Sequence, residues 1–309
     1  MKLRRRRGLV GLGFAATVAV VIGCWFVAPV GAQGSSSAGA ADELHVGLRR
    51  SSYGLPKKNG DHAWWAERAR EFAGNFPGAR ATIIQIVSGY REPDGTTAFE
   101  FAKPQTYQGP VSNMSFAPGK LDHEKALTEY DAAGVQAILQ VEPGSADMVR
   151  TLEIVHLKFG RHPCVIGFGV DAEWYFTKDS TQSEGRAITD DEARTWMEKV
   201  LSFNPRWVLF LKHWEPSHMP PTYRHPQLLF ISDSQDFTSR AELVDDFREW
   251  ARHFKSAATG YQFGYPKDRR WWSRMKKPAV ELAREIRAVD TNCRYLFWVD
   301  FTADAVEFK

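Results

Sequence analysis

The sequence predicts a protein of the α/β class: a single (β/α)8 TIM barrel over residues 43–309, preceded by an N-terminal export signal. Three observations point there. Apolar strand-like runs alternate with amphipathic helical runs, the pattern of βα units and a parallel sheet. The length behind the leader suits one such barrel, which typically needs about 250 residues. The long loops at Arg49–Asp61, Arg91–Leu121, Phe176–Thr189 and Pro266–Met275 all follow strands, so a barrel gathers them on one face. Loops of that length tend to be functional.

The leader comes first. Arg4 to Arg7 form a basic segment, Gly8 to Val30 are almost wholly apolar, and Val30-Gly31-Ala32 offers a small-residue cleavage site. Residues 1–32 therefore read as a signal peptide or a membrane anchor. Arg6-Arg7 also resembles a twin-arginine signal, Val21-Ile-Gly-Cys24 a lipidation site, and the apolar stretch is long enough to span a bilayer if uncleaved. The expected location is secreted, with anchoring to the cell envelope as the alternative. Residues 33–42 are a flexible linker rich in Ser, Gly and Ala.

The formal charge of +3 belongs to the leader. Lys2 and Arg4 to Arg7 hold five of the 40 basic residues, leaving 35 against 37 acidic ones. A nearly neutral body has no basic footprint, so nucleic acid is not an expected partner. Membrane contact is expected only through an uncleaved or lipidated N-terminus. Cys164 and Cys293 are the cysteines outside the leader. They either bridge or are buried; their places at the starts of two strands favour burial. No spacing suggests a zinc knuckle, and no metal or other cofactor is expected.

The eight proposed strands are Leu44–Leu48, Ala81–Val87, Val135–Val141, Cys164–Glu173, Trp207–Lys212, Leu228–Ser232, Gly260–Tyr265 and Tyr295–Asp300. Helices are expected over Ala63–Phe76, Asp122–Ala133, Ala146–Phe159, Asp190–Phe203, Ser239–Phe254 and Pro278–Val289. Asp122, Thr189 with Glu192, and Ser239 with Glu242 supply N-terminal caps, and Gly134 a C-terminal stop. The segment Glu215 to Pro226, with four prolines and no helical period, predicts a loop where the fifth helix belongs.

The fourth strand, Cys164-Val-Ile-Gly-Phe-Gly-Val-Asp-Ala-Glu-Trp174, ends in two carboxylates. Strand alternation puts Gly167, Gly169, Asp171 and Glu173 on one face, toward the barrel interior. Ile166, Phe168, Val170 and Ala172 face the helices. Acids at the C-terminal end of a barrel strand sit where such enzymes place their chemistry, and two like charges on one near-dry face are costly without a use. The other strand ends add Gln140, Glu142, Lys212, His213, Trp214, Asp233, Tyr261, Tyr265, Trp298 and Asp300, with Arg49, Arg50, Ser88 and Tyr90. Carboxylates and aromatics on one rim suit sugar chemistry: an acid of raised pKa, a second carboxylate, and flat apolar walls. Each residue also has a structural alternative. Glu142 precedes Pro143-Gly144 in a loop, Asp233 stands where a cap belongs, Asp300 nears the chain end, His213 fits a core histidine, and Trp298 fits a residue closing the barrel.

Gly169-Val-Asp-Ala-Glu-Trp-Tyr175 resembles the fourth-strand signature of family 18 chitinase-like glycoside hydrolases, Asp-Gly-x-Asp-x-Asp-Trp-Glu. Phe297-Trp-Val-Asp300 is similar to the segment bearing that family's sugar-site tryptophan. In one register Asp171 and Glu173 take the aspartate places and Tyr175 replaces the catalytic glutamate. In the other, Glu173 takes the glutamate's place and Asp171 that of the aspartate orienting an acetamido group. Neither completes the motif, so the resemblance implies a barrel glycosidase with its own acid pair rather than a chitinase.

The leading expectation is an exported glycoside hydrolase of an extracellular or cell-envelope polysaccharide or oligosaccharide. Glu173 would be the general acid and Asp171 its partner, with Glu142, Asp233 or Asp300 supplying a second catalytic group. Tyr90, Trp174, His213, Trp214, Tyr265 and Trp298 would contact sugar. The alternatives are a carbohydrate-binding barrel without catalysis and a metal-dependent hydrolase using His213, His218 or His225.

Overall fold

A computed structural model of the protein describes residues 43–91, 95–176 and 185–309. The leader and the linker lie outside the described residues. In chain order the elements are β1 (His45–Arg50), α1 (His62–Ala73), β2 (Arg80–Ile86), β3 (Ser88–Arg91), β4 (Thr96–Phe99), β5 (Met114–Phe116), α2 (His123–Ala133), β6 (Gln136–Val141) and α3 (Met148–Phe159). They continue as β7 (Val165–Asp171), α4 (Asp190–Phe203), β8 (Val208–Lys212), β9 (Leu228–Ser232), α5 (Arg240–His253), β10 (Ala258–Phe263), α6 (Arg269–Trp272), α7 (Pro278–Val289) and β11 (Cys293–Trp298).

Eight of these strands close a barrel in the order β1-β11-β10-β9-β8-β7-β6-β2, every neighbouring pair parallel. Each expected strand is one of the eight. Two hydrophobic clusters divide the apolar residues. Ile84, Ile138, Val208, Phe210, Leu229, Ile231, Tyr295 and Phe297 come from strands alone and fill the interior. The larger cluster joins the alternate strand residues to the helices, as with Phe168 and Val170 against Trp196 and Met197. Burial of both layers is the main force closing the ring.

The caps follow the sequence. Asp122 accepts from the N–H of Lys125, Ser239 from that of Glu242, and Thr189 with Glu192 forms a reciprocal capping box. Gly134 ends α2 in the left-handed region at φ 67°. Between β8 and β9 there is only the 3-10 turn Pro216–His218, as the prolines of that segment predict. After β11 the chain makes another 3-10 turn, Asp300–Thr302, and Phe308 packs on Phe72 at 5.2 Å.

Three features differ from expectation. The long segment after β2 folds into a three-stranded sheet, with β3 and β4 antiparallel and β4 and β5 parallel. Strand β7 ends at Asp171, and Ala172–Trp174 form a 3-10 turn instead of continuing it. A register shift between β6 and β7 makes Ile166 an extra residue, so it packs on the interior cluster instead of facing outward. Cys164 and Cys293 are both buried and free, without a bridge.

Candidate active site

Register builds the centre of the site. Asp171 on β7 and Lys212 on β8 are partners across the parallel pair, each the last residue of its strand, so their side chains share the inner face. The Lys212 ammonium lies 3.0 Å from Asp171 Oδ2 and 3.8 Å from Glu173 Oε2, and it donates to Asp233 Oδ2 from the loop after β9. Gln140, one strand back on β6, donates to Asp171 Oδ2 at 3.2 Å. One buried ammonium therefore gathers three carboxylates contributed by two strand ends and a turn.

Their electrostatics differ. Burial holds the Asp171 carboxyl well above the usual range, with Lys212 opposing and Glu173 and Asp233 reinforcing the rise. Burial raises Glu173 to about 7, again against Lys212 and with help from Asp233 and Glu142. Burial works to lower Lys212, but Asp171 and Asp233 overcome it and keep the amine charged. Of the four cleft carboxylates, Asp171 and Asp233 are almost sealed and Glu142 is buried, whereas the Glu173 side chain is 26% exposed. Glu173, Asp233, Ser234 and Trp214 line a cleft of about 320 Å³, with Gln235, Asp236 and Lys267 at its lip.

Glu142 approaches from the loop after β6. It accepts from the Tyr53 hydroxyl at 2.8 Å and from the Tyr90 backbone N–H at 2.7 Å, and burial raises its carboxyl despite both donors. Tyr53 also accepts from Arg49, whose other nitrogen pairs with Asp300 at 2.6 Å. A continuous chain thus runs Asp300–Arg49–Tyr53–Glu142. Aromatic groups flank it. Tyr90 stacks on Trp174 at 5.2 Å and meets Phe176 at 5.1 Å; Tyr53, Tyr265 and Phe301 form a second group.

The expected residues fall into two sets. Asp171, Glu173, Glu142, Asp233, Tyr90, Trp174, Trp214 and Tyr265 come together at the C-terminal face of the barrel. Burial first, then Asp233, raise the Tyr265 hydroxyl, against the opposing effect of Lys212 and Arg49. Asp300 stands at the edge of the set. It is fully buried and committed to Arg49 and to the backbone N–H and hydroxyl of Ser51. It therefore clasps β1 to the end of β11 and does not offer a free carboxylate to the cleft.

Trp298 and Tyr261 are corrections. Both belong to the outer layer: Trp298 is fully buried against Phe263 and Trp272 and donates to Thr302, while Tyr261 donates to Asp290 at 2.6 Å. Phe297 is the inward residue of β11, so its successor Trp298 must face the helices. Trp298 and Asp300 do not share a face because the strand ends between them. His213 is fully buried between Trp214 and His218, at 4.2 and 4.0 Å. His225 lines a different cavity, with Lys255 and Arg294, so the three histidines do not converge. Among the described residues, no group of three or more His, Cys, Asp or Glu is arranged to hold a metal ion. Tyr175 turns away from the cleft, donating to Glu192 and packing on Trp196. Of the two motif registers, the one giving Glu173 the glutamate's place puts a carboxylate in the cleft.

Sequence reasoning gave no role to Lys212, Arg49 or Tyr53. Lys212 was detectable as a cation ending the strand next to Asp171. Tyr53 sits in a loop whose path no periodicity reveals.

No protein-family model matches the chain, and no curated protein does. Solved structures with a similar fold include an FMN-binding beta-glucuronidase from Facaelibacterium prausnitzii L2-6, 11% identical with a TM-score of 0.49 over 84% of this chain and 37% of that one. This chain thus spans little more than a third of the glucuronidase's length. Others are a Thermomonospora fusca beta-mannanase (10% identity, TM-score 0.44, 86% of each chain) and a Bacteroides thetaiotaomicron endo-alpha-mannosidase (11%, 0.42, 82% of this chain and 68% of that one).

Proposed function

We propose that the protein is a glycoside hydrolase acting on an extracellular or cell-envelope polysaccharide, with Glu173 as its general acid. The observation that carries this reading is the position of Glu173: partly exposed in the cleft, with a carboxyl raised to about 7 by burial and neighbouring charge. A carboxyl poised there keeps its proton near neutrality and still reaches a substrate oxygen. Asp233 lines the same cleft and is the second carboxylate. Asp171 lies beneath, where with Lys212 it orients the pair. Trp214 on one side, and Tyr90 with Trp174 on the other, give the flat apolar faces that pyranose rings stack on. The leader delivers the enzyme to glycans outside the cytoplasm.

In hydrolysis Glu173 gives its proton to the glycosidic oxygen as the bond to the anomeric carbon breaks. The second carboxylate stabilises the developing positive charge by direct attack or through water. The test is Glu173→Gln on a glycan that the wild type cleaves, with release of reducing ends as the readout. The variant should keep its fold by circular dichroism and lose about 100-fold or more in turnover, the range expected for removing a general acid. Full retention of hydrolysis would overturn the assignment.

A further inference from the structure

The inner end of the cleft holds more carboxylates than cations. Asp171, Glu173 and Asp233 share the one ammonium of Lys212, and Glu142 lies near enough to act on Glu173. The next cation, Arg49, is bound to Asp300. At the outer lip Asp236 is answered by Lys267 at 3.6 Å and Arg270 at 3.5 Å, so the acid groups that share one cation lie inward, beside Glu173.

A second observation is independent of that charge count. Asp233 is 2% exposed and lines the cleft, yet its Oδ1 has no hydrogen-bond partner among the described residues. Asp171 Oδ1 beneath it is likewise without one. Buried carboxylate oxygens lacking a donor are costly. What would relieve them is a donor, and preferably one carrying positive charge. A sugar hydroxyl supplies the donor without the charge. A uronate or a sulfated sugar brings acceptors and negative charge, not a donor, to Asp233 Oδ1. A protonated sugar amine supplies both, in the way the Lys212 ammonium already serves these acids from the other side.

We infer that the substrate is a glycan containing free amino sugars, one protonated amine being held by Asp233 in the cleft it shares with Glu173. This rests on the glycosidase reading above and narrows it to a substrate class. N-acetylation removes the charge and enlarges the substituent, so the same cleft discriminates against acetylated and anionic glycans through loss of a charge-assisted contact.

The test compares oligomers of glucosamine and of galactosamine with their N-acetylated counterparts, a neutral β-glucan and polygalacturonate. Hydrolysis is followed by reducing ends, and binding by calorimetry on the Glu173→Gln variant, at a pH that keeps the amine protonated. The free-amine oligomers should bind about 10- to 100-fold tighter than their acetylated forms, the range for a hydrogen bond to a charged group. Added salt should weaken them selectively, and Asp233→Asn placed in the Glu173→Gln background should bring the calorimetric binding ratio toward one. Because Asp233 also holds Lys212, the wild-type ratio decides the matter if that variant misfolds. Cleavage of a neutral, acetylated or anionic glycan at equal or greater efficiency overturns the amine inference and leaves the hydrolase standing. Tight binding of free-amine oligomers without cleavage supports the amine site and overturns the hydrolase. Neither binding nor cleavage of any free-amine oligomer overturns the inference.

Discussion

Glu173 is the residue on which proton chemistry turns, and its sign can be worked out. Its ordinary value is 4.5, and in the folded protein it lies at about 7. Between those values the folded protein holds a proton that the unfolded chain has released, so Glu173 makes stability fall as pH rises through that window. The full shift corresponds to about 3 kcal/mol. Water reaches a quarter of the side chain, and Lys212 couples to it, so roughly 1–2 kcal/mol is the realistic effect. Glu173→Gln should therefore match the wild type in thermal midpoint well below the ordinary carboxylate range and exceed it above neutrality, by about 2–4 °C. A variant destabilised equally at both ends of the pH scale would show that the carboxyl is not held protonated. Catalysis follows the same proton: activity should decline as pH rises through about 7. Asp233→Asn removes a neighbouring negative charge and should move the Glu173-dependent fall in stability to lower pH. Lys212→Met removes the opposing cation and should move it to higher pH, at a cost in stability from the carboxylates left unpaired.

At the scale of the element, β7 is what brings acids and ammonium together, and its glycines set the space for them. A Cβ on Gly169 would lie 2.0–2.5 Å from the Phe210 ring, which fills the interior at that level. Gly169→Ala should therefore cost about 1–3 kcal/mol by overpacking. Phe210→Leu in the same chain should recover part of it, a coupling that chemical denaturation of the two single variants and the double variant would measure. If the pair were simply additive, Phe210 would not be the neighbour that fixes Gly169. Element by element, the sequence was most legible where periodicity was long. The eight barrel strands and four helix caps follow from it, because alternation and capping chemistry are local. Legibility stopped where strands stopped. Glu173 reaches the cleft from a 3-10 turn, not from the strand face that alternation extended to it. Trp298 was misdirected for a related reason: pairing it with Asp300 carried alternation past the end of β11. Tyr53 and Arg49 enter the site through loop geometry and long-range pairing, which no local pattern encodes. The sheet of β3, β4 and β5 escaped notice because its strands have only three or four residues each.

At the scale of the whole molecule, closure of the ring constrains residues far apart in sequence. Cys164 precedes β7 and Cys293 opens β11, and the barrel order puts β8, β9 and β10 between those strands in one direction and β6, β2 and β1 in the other. The two cysteines thus lie across the barrel from each other, whereas a disulfide needs Cα atoms within about 7 Å. Both thiols are buried, and burial raises each of them, so neither is a reactive thiolate in the folded protein. The barrel thus relies on packing, not on a covalent link between these two cysteines. Reductant should leave the unfolding midpoint of the protein unchanged. A thiol reagent such as a disulfide-exchange chromophore should leave Cys164 and Cys293 unlabelled in the native state and titrate both once denaturant has opened the ring. Rapid native labelling of Cys164 or Cys293, or a midpoint that drops on reduction, would mean that strands β7 and β11 do not hold these thiols buried on opposite sides of a closed barrel.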